Sequence, residues 1–296
     1  MNPPTNPFAS ILLPLDGSPE AAKAAGCAIW LSGELNATLH LLYAAPDPLP
    51  AGDALAQLHF PATDRARIIL HQTQAPAEVA VLDAIDRHQA GLVVMSARGV
   101  SISSGINLSQ RLGRVARAVI ERSPAPVVLL PLHYRAALPW TSMLVAASGE
   151  AAANQALETA ARLAAALRLK VSVLHAESDP GVSRATPFGT YADAAHHEYA
   201  RRMQGMLERG LAACRTEECH AVREVLLRHG DPADMLLDQA GRQASSVLAL
   251  GWHGALDAGR ALVLKRLLEE AGCALLLVRK IESPKVRLRV GAEIGA

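Results

Sequence analysis

One order of elements is spelled out twice along this chain of 296 residues. A short apolar run over residues 10–15 ends in Asp16 and gives way at once to Gly17-Ser18-Pro19-Glu20. That is a buried strand, a turn and a helix start, with Ser18 placed to cap the helix and Pro19 suited to its first turn. An Ala-rich helical stretch runs to about Asn36, and apolar strands are predicted over 38–45, 66–71, 92–95 and 127–130. From Met143 the order returns: strands over 143–147, 171–176, 222–228, 247–250 and 275–278, a helix over 151–167, and a helix start at Asp231-Pro232. Parallel neighbours need crossover connections, and right-handed crossovers put helices on both faces of a sheet. The predicted fold class is α/β: two doubly wound, five-stranded, mostly parallel sheets, one per repeat.

The spacing between the copies locates their differences. Asp16 corresponds to Ser148 at an offset of 132, Gly99 to Gly254 at 155, and Val127 to Leu275 at 148. The gain falls after the second strand, where the second copy carries a long polar helix over 191–215 and the first has only a Pro- and Ala-rich stretch over 46–64. The loss falls in the loop after the fourth strand. Residues 132–140, with Pro131 and Pro139, read as a linker. The predicted domains are therefore 1–133 and 141–280, with a C-terminal tail over 281–296.

Composition excludes several classes. With 29 basic and 28 acidic residues there is no basic footprint, so no nucleic-acid partner is expected. No apolar run approaches the roughly 20 residues that span a bilayer, and residues 1–9 have no basic residue or long apolar core, so neither membrane nor secretory signal is expected. Cys27, Cys214, Cys219 and Cys273 are too scattered for a disulfide framework, which fits a cytoplasmic location. Cys214 and Cys219 with His220 match no zinc spacing, and the adjacent His196 and His197 face different directions on a helix. No metal site is predicted. Nucleophile-turn, phosphate-loop, dinucleotide and zinc-protease motifs are absent, so no catalytic residue is assigned.

The order of motifs resembles the universal stress protein family. The matching pieces are Leu15-Asp16-Gly17-Ser18-Pro19, Val94-Met95-Ser96-Ala97-Arg98-Gly99, Leu112-Gly113-Arg114-Val115-Ala116 and Ser123-Pro124-Ala125-Pro126-Val127, then Leu250-Gly251-Trp252-His253-Gly254 and residues 263–278. The resemblance implies a Rossmann-like fold of the adenine nucleotide alpha hydrolase type and, in many members, ATP or another adenine nucleotide at the carboxyl ends of the strands. Their phosphate pattern is Gly, two residues, Gly, nine residues, Gly and then Ser or Thr. Glycines admit backbone amides to phosphate, and the following helix aims its amino end there.

Neither copy keeps that pattern. In the first, Ser96 replaces the opening glycine, thirteen residues separate Gly99 from Gly113, and Arg114 replaces the hydroxyl residue. In the second, Gly251 and Gly254 survive, Ala261 and Leu262 stand where Gly and Ser belong, and the first strand ends in Ser148. The resemblance implies a nucleotide site in domain 1 from Leu15, Asp16, Gly17, Met95, Ser96, Arg98, Gly99, Gly113, Arg114 and Val115. Asp16 either contacts the ribose or adenine side or shapes the turn. Arg114 holds phosphate, fills its place, or points to solvent from an ordinary first helical turn, as arginines on helix surfaces commonly do; as between holding and filling, exclusion is expected. Gly251, His253 and Gly254 are expected to mark a vestigial second site that binds ATP more weakly than the first. The functional expectation is a non-catalytic stress-response protein, weak or altered in nucleotide binding; the alternatives are a nucleotide-independent interaction module and an ATP-hydrolysing enzyme. The final strands, 127–130 and 275–278, are expected to pair internally as family members do between subunits, with a homodimer of the chain left open.

Overall fold

The computed structural model describes residues 6–60, 68–99, 112–177, 194–257 and 260–280; the loop over 100–111 and the tail over 281–296, both singled out above, lie outside them. The first half runs β1 (Ser10–Leu15), α1 (Pro19–Glu34), β2 (Thr38–Ala44), α2 (Ala51–Gln57), β3 (Ile68–Thr73), α3 (Ala77–Arg87), β4 (Leu92–Ser96), α4 (Arg114–Arg122) and β5 (Val127–Leu130). The second runs β6 (Ser142–Ala146), α5 (Ala151–Leu167), β7 (Lys170–Glu177), α6 (Ala194–Leu211), α7 (Thr216–Cys219), β8 (Val222–His229), α8 (Pro232–Arg242), β9 (Val247–Trp252), α9 (Leu262–Glu270) and β10 (Ala274–Arg279).

The two predicted sheets are hydrogen-bonded edge to edge into one ten-stranded sheet of order β3-β2-β1-β4-β5-β10-β9-β6-β7-β8. Within each half the neighbours are parallel, and β5 and β10 meet antiparallel, Leu275 opposite Leu129 and Leu277 opposite Val127. The predicted internal pairing of the last strands is thus present. Helices α1 and α5 cover one face, and α3, α4, α8 and α9 the other. Strands buried on both faces need continuous apolar runs, which is why β4, β5 and β10 read as Val, Leu and Ala without alternation.

Local signals set the helix starts. The Ser18 hydroxyl accepts from the Ala21 N–H at 3.1 Å, and Asp231 Oδ1 accepts from the Ala233 and Asp234 N–H groups at 3.0 Å. Each cap is followed by a proline at the first helical position, where a missing N–H costs nothing. Three segments differ from the sequence expectation. The stretch over 46–64 contains α2, whose Ala54 is fully buried. The linker is anchored: Trp140 is 3% exposed, packs edge-on against Trp30 of α1 at 5.1 Å, and donates to the Tyr134 hydroxyl at 3.1 Å. One indole thereby ties the connector to the first half's core. The long helix of the second half is α6, which ends at Leu211 and not at 215 because the chain turns at Cys214 into α7; its Met203 and Met206 are buried.

Helix α4 ends against the other half. Arg279 of β10 donates to the carbonyls of Ser123 (3.1 Å) and Arg122 (3.3 Å), so a cation closes the carbonyl end of α4, where the helix dipole favours it.

Candidate functional site

In an open α/β sheet, ligands gather outside the carboxyl ends of the strands where the strand order reverses. Here that happens twice, between β1 and β4 and between β6 and β9. Because β5 and β10 are antiparallel, the two crevices open at opposite ends of the sheet.

In the first half, Leu15 and Met95 are buried beneath the crevice, while Asp16, Gly17, Ser96, Arg98 and Gly99 lie at its floor. Asp16 Oδ1 accepts from the Ser18 N–H at 3.0 Å and from its hydroxyl at 2.7 Å, so the carboxylate shapes the turn that Gly17, at φ +82°, makes possible. A Cβ on Gly99 would come within 2.0 Å of Asp16 Oδ2, which places the two motif pieces in direct contact. The Ser96 hydroxyl donates to the Arg98 carbonyl at 2.5 Å. Gly113 is the N-cap of α4, and its N–H reaches the Ala97 carbonyl at 2.8 Å. Val115, half-buried, packs against the core.

Arg114 is not where exclusion would need it. Its side chain is 79% exposed and its guanidinium lies 3.4 Å from the Glu78 carboxylate on α3, swung away along the neighbouring helix. The Glu78 carboxylate, in the first turn of α3, holds the cation there, a pairing the sequence alone does not reveal. Arg114→Ser is therefore expected to change unfolding free energy by no more than about 1 kcal/mol, the ordinary worth of an exposed pair, in chemical denaturation. A loss above about 2 kcal/mol would show that the arginine is buried in a way this geometry does not have.

The second crevice is a formed cleft of about 600 Å³. Its walls are apolar: Ala153, Leu174, Ala176, Leu236, Leu250 and Leu264 among them; Ser148, Glu150, His253 and Arg260 stand at its polar positions. His253 Nε2 lies 2.9 Å from Glu150 Oε2, both side chains exposed. Trp252, 5% exposed, also lines the cleft, and its indole nitrogen is buried with no hydrogen-bond partner among the described residues. A second cavity of about 650 Å³, lined by Thr141, Ser245, Ser246 and Cys273, lies at the amino ends of β6, β9 and β10, so size does not separate the two; the carboxyl-end rule does.

The surviving glycines of the second copy have packing reasons of their own. A Cβ on Gly251 would fall 1.9 Å from the Ala152 carbonyl oxygen, in the first turn of α5. Gly254 sits at φ +85°, and a Cβ there would meet Arg279 Cδ at 3.0 Å and the Glu121 carbonyl at 3.2 Å, at the junction of the halves. Ala261, in the position of the family's last glycine, is the N-cap of α9 in the left-handed region at φ 51°, and Leu262, where a hydroxyl residue is expected, is 63% exposed. Sequence reasoning missed Glu150 and Arg260 as cleft residues because they lie outside the motif pieces and only the fold gathers them, and missed Trp252 because it stands at a variable position between the motif glycines. His196 and His197 lie in a part of α6 whose side chains are outside the described residues. No helix among the described residues is long and apolar enough to cross a membrane.

Two doubly wound α/β units, each with a crevice at the switch point, joined through their last strands, define a tandem Rossmann-like protein. The sequence model of the universal stress protein family matches residues 7–131 and again 139–279. The chain belongs to the universal stress protein family, with two copies of its domain. Among solved structures it is similar to a functionally unknown protein from Pseudomonas aeruginosa PAO1 (14% identity, 92% of each chain, TM-score 0.64). It is also similar to a universal stress protein from Archaeoglobus fulgidus DSM 4304 (14% identity, 92% of this chain and 98% of the other, TM-score 0.59). At such identity the likeness is one of fold. No curated protein matches the sequence.

Proposed function

We propose that the chain is a non-catalytic, stress-linked binding protein whose adenine-nucleotide site is the cleft of the second half. The observation that carries this reading is the cleft itself: its volume of about 600 Å³ lies within the range of small-molecule pockets, and it sits at the switch point between β6 and β9. Leu174 and Leu250 offer apolar surface to a base, and Ser148 takes the place that Asp16 has in the first copy. The phosphate side is poorer. Among the described residues Arg260 is the one arginine or lysine lining the cleft, and α9 begins with Leu262 in place of a glycine and a hydroxyl residue. This reading moves the weight from the first half, where the Asp16 carboxylate already accepts two hydrogen bonds from Ser18.

Calorimetric titration of the full chain tests it. AMP is expected to bind about tenfold more tightly than adenosine, the worth of one charged hydrogen bond to Arg260, and ATP no more tightly than AMP. Arg260→Gln should abolish the AMP preference, and Ser148→Trp, an exposed position at the cleft, should block both ligands. ATP bound tenfold more tightly than AMP would sink the proposal, as would binding that Ser148→Trp leaves intact. No heat with any of the three favours the nucleotide-independent interaction module. ADP formed from ATP by the purified chain, and lost in Arg260→Gln, would overturn the non-catalytic reading.

A further inference from the structure

At the other side of the molecule, three imidazoles from three elements converge. His40 lies on β2, His71 on β3, and His88 is the residue that ends α3. The parallel register sets His40 opposite Ile69 and His71 opposite Leu42, so both strand histidines project from the face that α3 covers. One nitrogen of each ring lies within 4.8 Å of the other two, and His40 Nδ1 and His71 Nε2 are 2.9 Å apart. The rings stack, with centroids 4.1 Å apart for His71 and His88 and 4.6 Å for His40 and His88. All three residues are half-buried.

The convergence has the number and type of ligands that a borderline divalent cation takes. A zinc ion with bonds of about 2.0 to 2.1 Å holds tetrahedral ligand atoms about 3.3 to 3.4 Å apart. Reaching that from the observed spacing asks for nitrogen shifts of about 0.5 to 1.5 Å and for the rings, now stacked at 14° to 25°, to turn so that their in-plane lone pairs converge, a change made by rotation about the side-chain bonds. The contact of His40 with His71 requires that one nitrogen accept, so at least one ring is neutral, as a ligand must be. Burial, helped by the neighbouring rings, lowers His40 to about 4 and moves His71 in the same direction, which keeps lone pairs available at neutral pH. The carbonyl end of α3 also favours a cation. Arg87 works against one, but it is paired with Asp83. The Ser10 hydroxyl donates to the His88 carbonyl at 3.0 Å and ties that end of the helix to β1. Imidazoles without carboxylate or thiolate select zinc, nickel and copper over magnesium and calcium. The other cluster of thiols is less suited, since burial pushes the Cys214 thiol up to about 11 and away from the thiolate a metal needs.

We propose that His40, His71 and His88 form a binding site for a divalent transition-metal cation, Zn²⁺ in the first instance, with its fourth position open to water or an exogenous ligand. The site is independent of the nucleotide cleft, since it lies in the other half of the chain.

The test uses the full chain stripped with EDTA. Calorimetry with ZnCl₂ is expected to show one ion per chain and no heat with MgCl₂, and Co²⁺ is expected to give the visible absorption of a tetrahedral site without thiolate charge-transfer bands. His40→Gln, His71→Gln and His88→Ala should each weaken zinc about tenfold or more, at least what loss of a supporting group costs elsewhere. Carbethoxylation mapped by mass spectrometry locates the ion without any variant: Zn²⁺ should protect His40, His71 and His88. Absence of zinc binding overturns the proposal. So does zinc that protects none of the three, zinc affinity unchanged in all three variants, or a thiolate band in the cobalt spectrum, which would place the ion at Cys214 and Cys219.

Discussion

Gly251→Ala is expected to destabilise the chain by about 3 kcal/mol, the upper part of the usual range for overpacking, and to lower the melting temperature by about 5 °C or more. The reason is that nothing near this position gives way cheaply. An added Cβ would lie 1.9 Å from the Ala152 carbonyl oxygen, 2.2 Å from its carbon and 2.6 Å from the Ala153 nitrogen, all backbone of the first turn of α5. That turn cannot simply lift. Ala156, Ala160, Ala161, Leu163 and Ala164 are fully buried along the same helix, so moving its start strains its whole seat on the sheet. The matching position of the first copy is Ser96, whose hydroxyl is directed to the Arg98 carbonyl, and a side chain is accommodated there. Ser96→Gly is thus the control, expected to change stability by less than about 1 kcal/mol. Thermal unfolding of both variants decides the matter. A Gly251→Ala protein that melts with the wild type would mean that α5 stands farther from β9 than the structure places it.

The same glycine shows where sequence reading succeeds and where it stops. Fold class was legible because its signals are local: the Ser18 and Asp231 caps, each followed by proline, and strands apolar on both faces. The internal pairing was legible as well, since Val127 to Leu130 and Leu275 to Val278 have no polar side to turn to water. The site was not. Gly251 and Gly254 spell part of a phosphate pattern, yet close helix approach and a left-handed backbone account for both letters. Whether Arg114 meets phosphate or faces solvent is open in the sequence until Glu78, 36 residues earlier, is seen beside it. Glu150 and Arg260 join one cleft across more than a hundred residues of chain, and His40, His71 and His88 meet through strand register and the end of a helix. No local spacing encodes such meetings. Trp140 carries the same lesson for packing: a residue in a Pro-bounded connector reads as linker, and only Trp30 opposite it explains the aromatic.

Separated from the first half, residues 139–280 are expected to associate into a dimer through β10. In the whole chain Leu275, Leu276 and Leu277 are at most 1% exposed, and one edge of their strand is covered by β5 alone. Removing β5 leaves a fully apolar edge with unpaired N–H and C=O groups, the arrangement that sheets close by pairing with another chain. The chain already contains the solution. The β5–β10 pair is antiparallel, so a two-fold axis reproduces it with a second copy of β10, Leu276 facing Leu276 at the centre. Arg279 loses the Ser123 and Arg122 carbonyls that it now closes, but the corresponding helix of the partner, α9, ends at Ala271 with nearly the same backbone angles as α4 at Ser123. The guanidinium would find an equivalent helix end across the axis. Sedimentation equilibrium should therefore give twice the fragment mass, and Leu276→Lys, which puts a charge at the centre of the apolar edge, should abolish the dimer at a cost of several kcal/mol. In the intact chain the same substitution should break the junction of the halves and lower the melting temperature by about 10 °C or more. A fragment that stays monomeric with a native circular dichroism spectrum would show that β10 needs no partner, and that the joining of the two halves contributes little to holding either one folded.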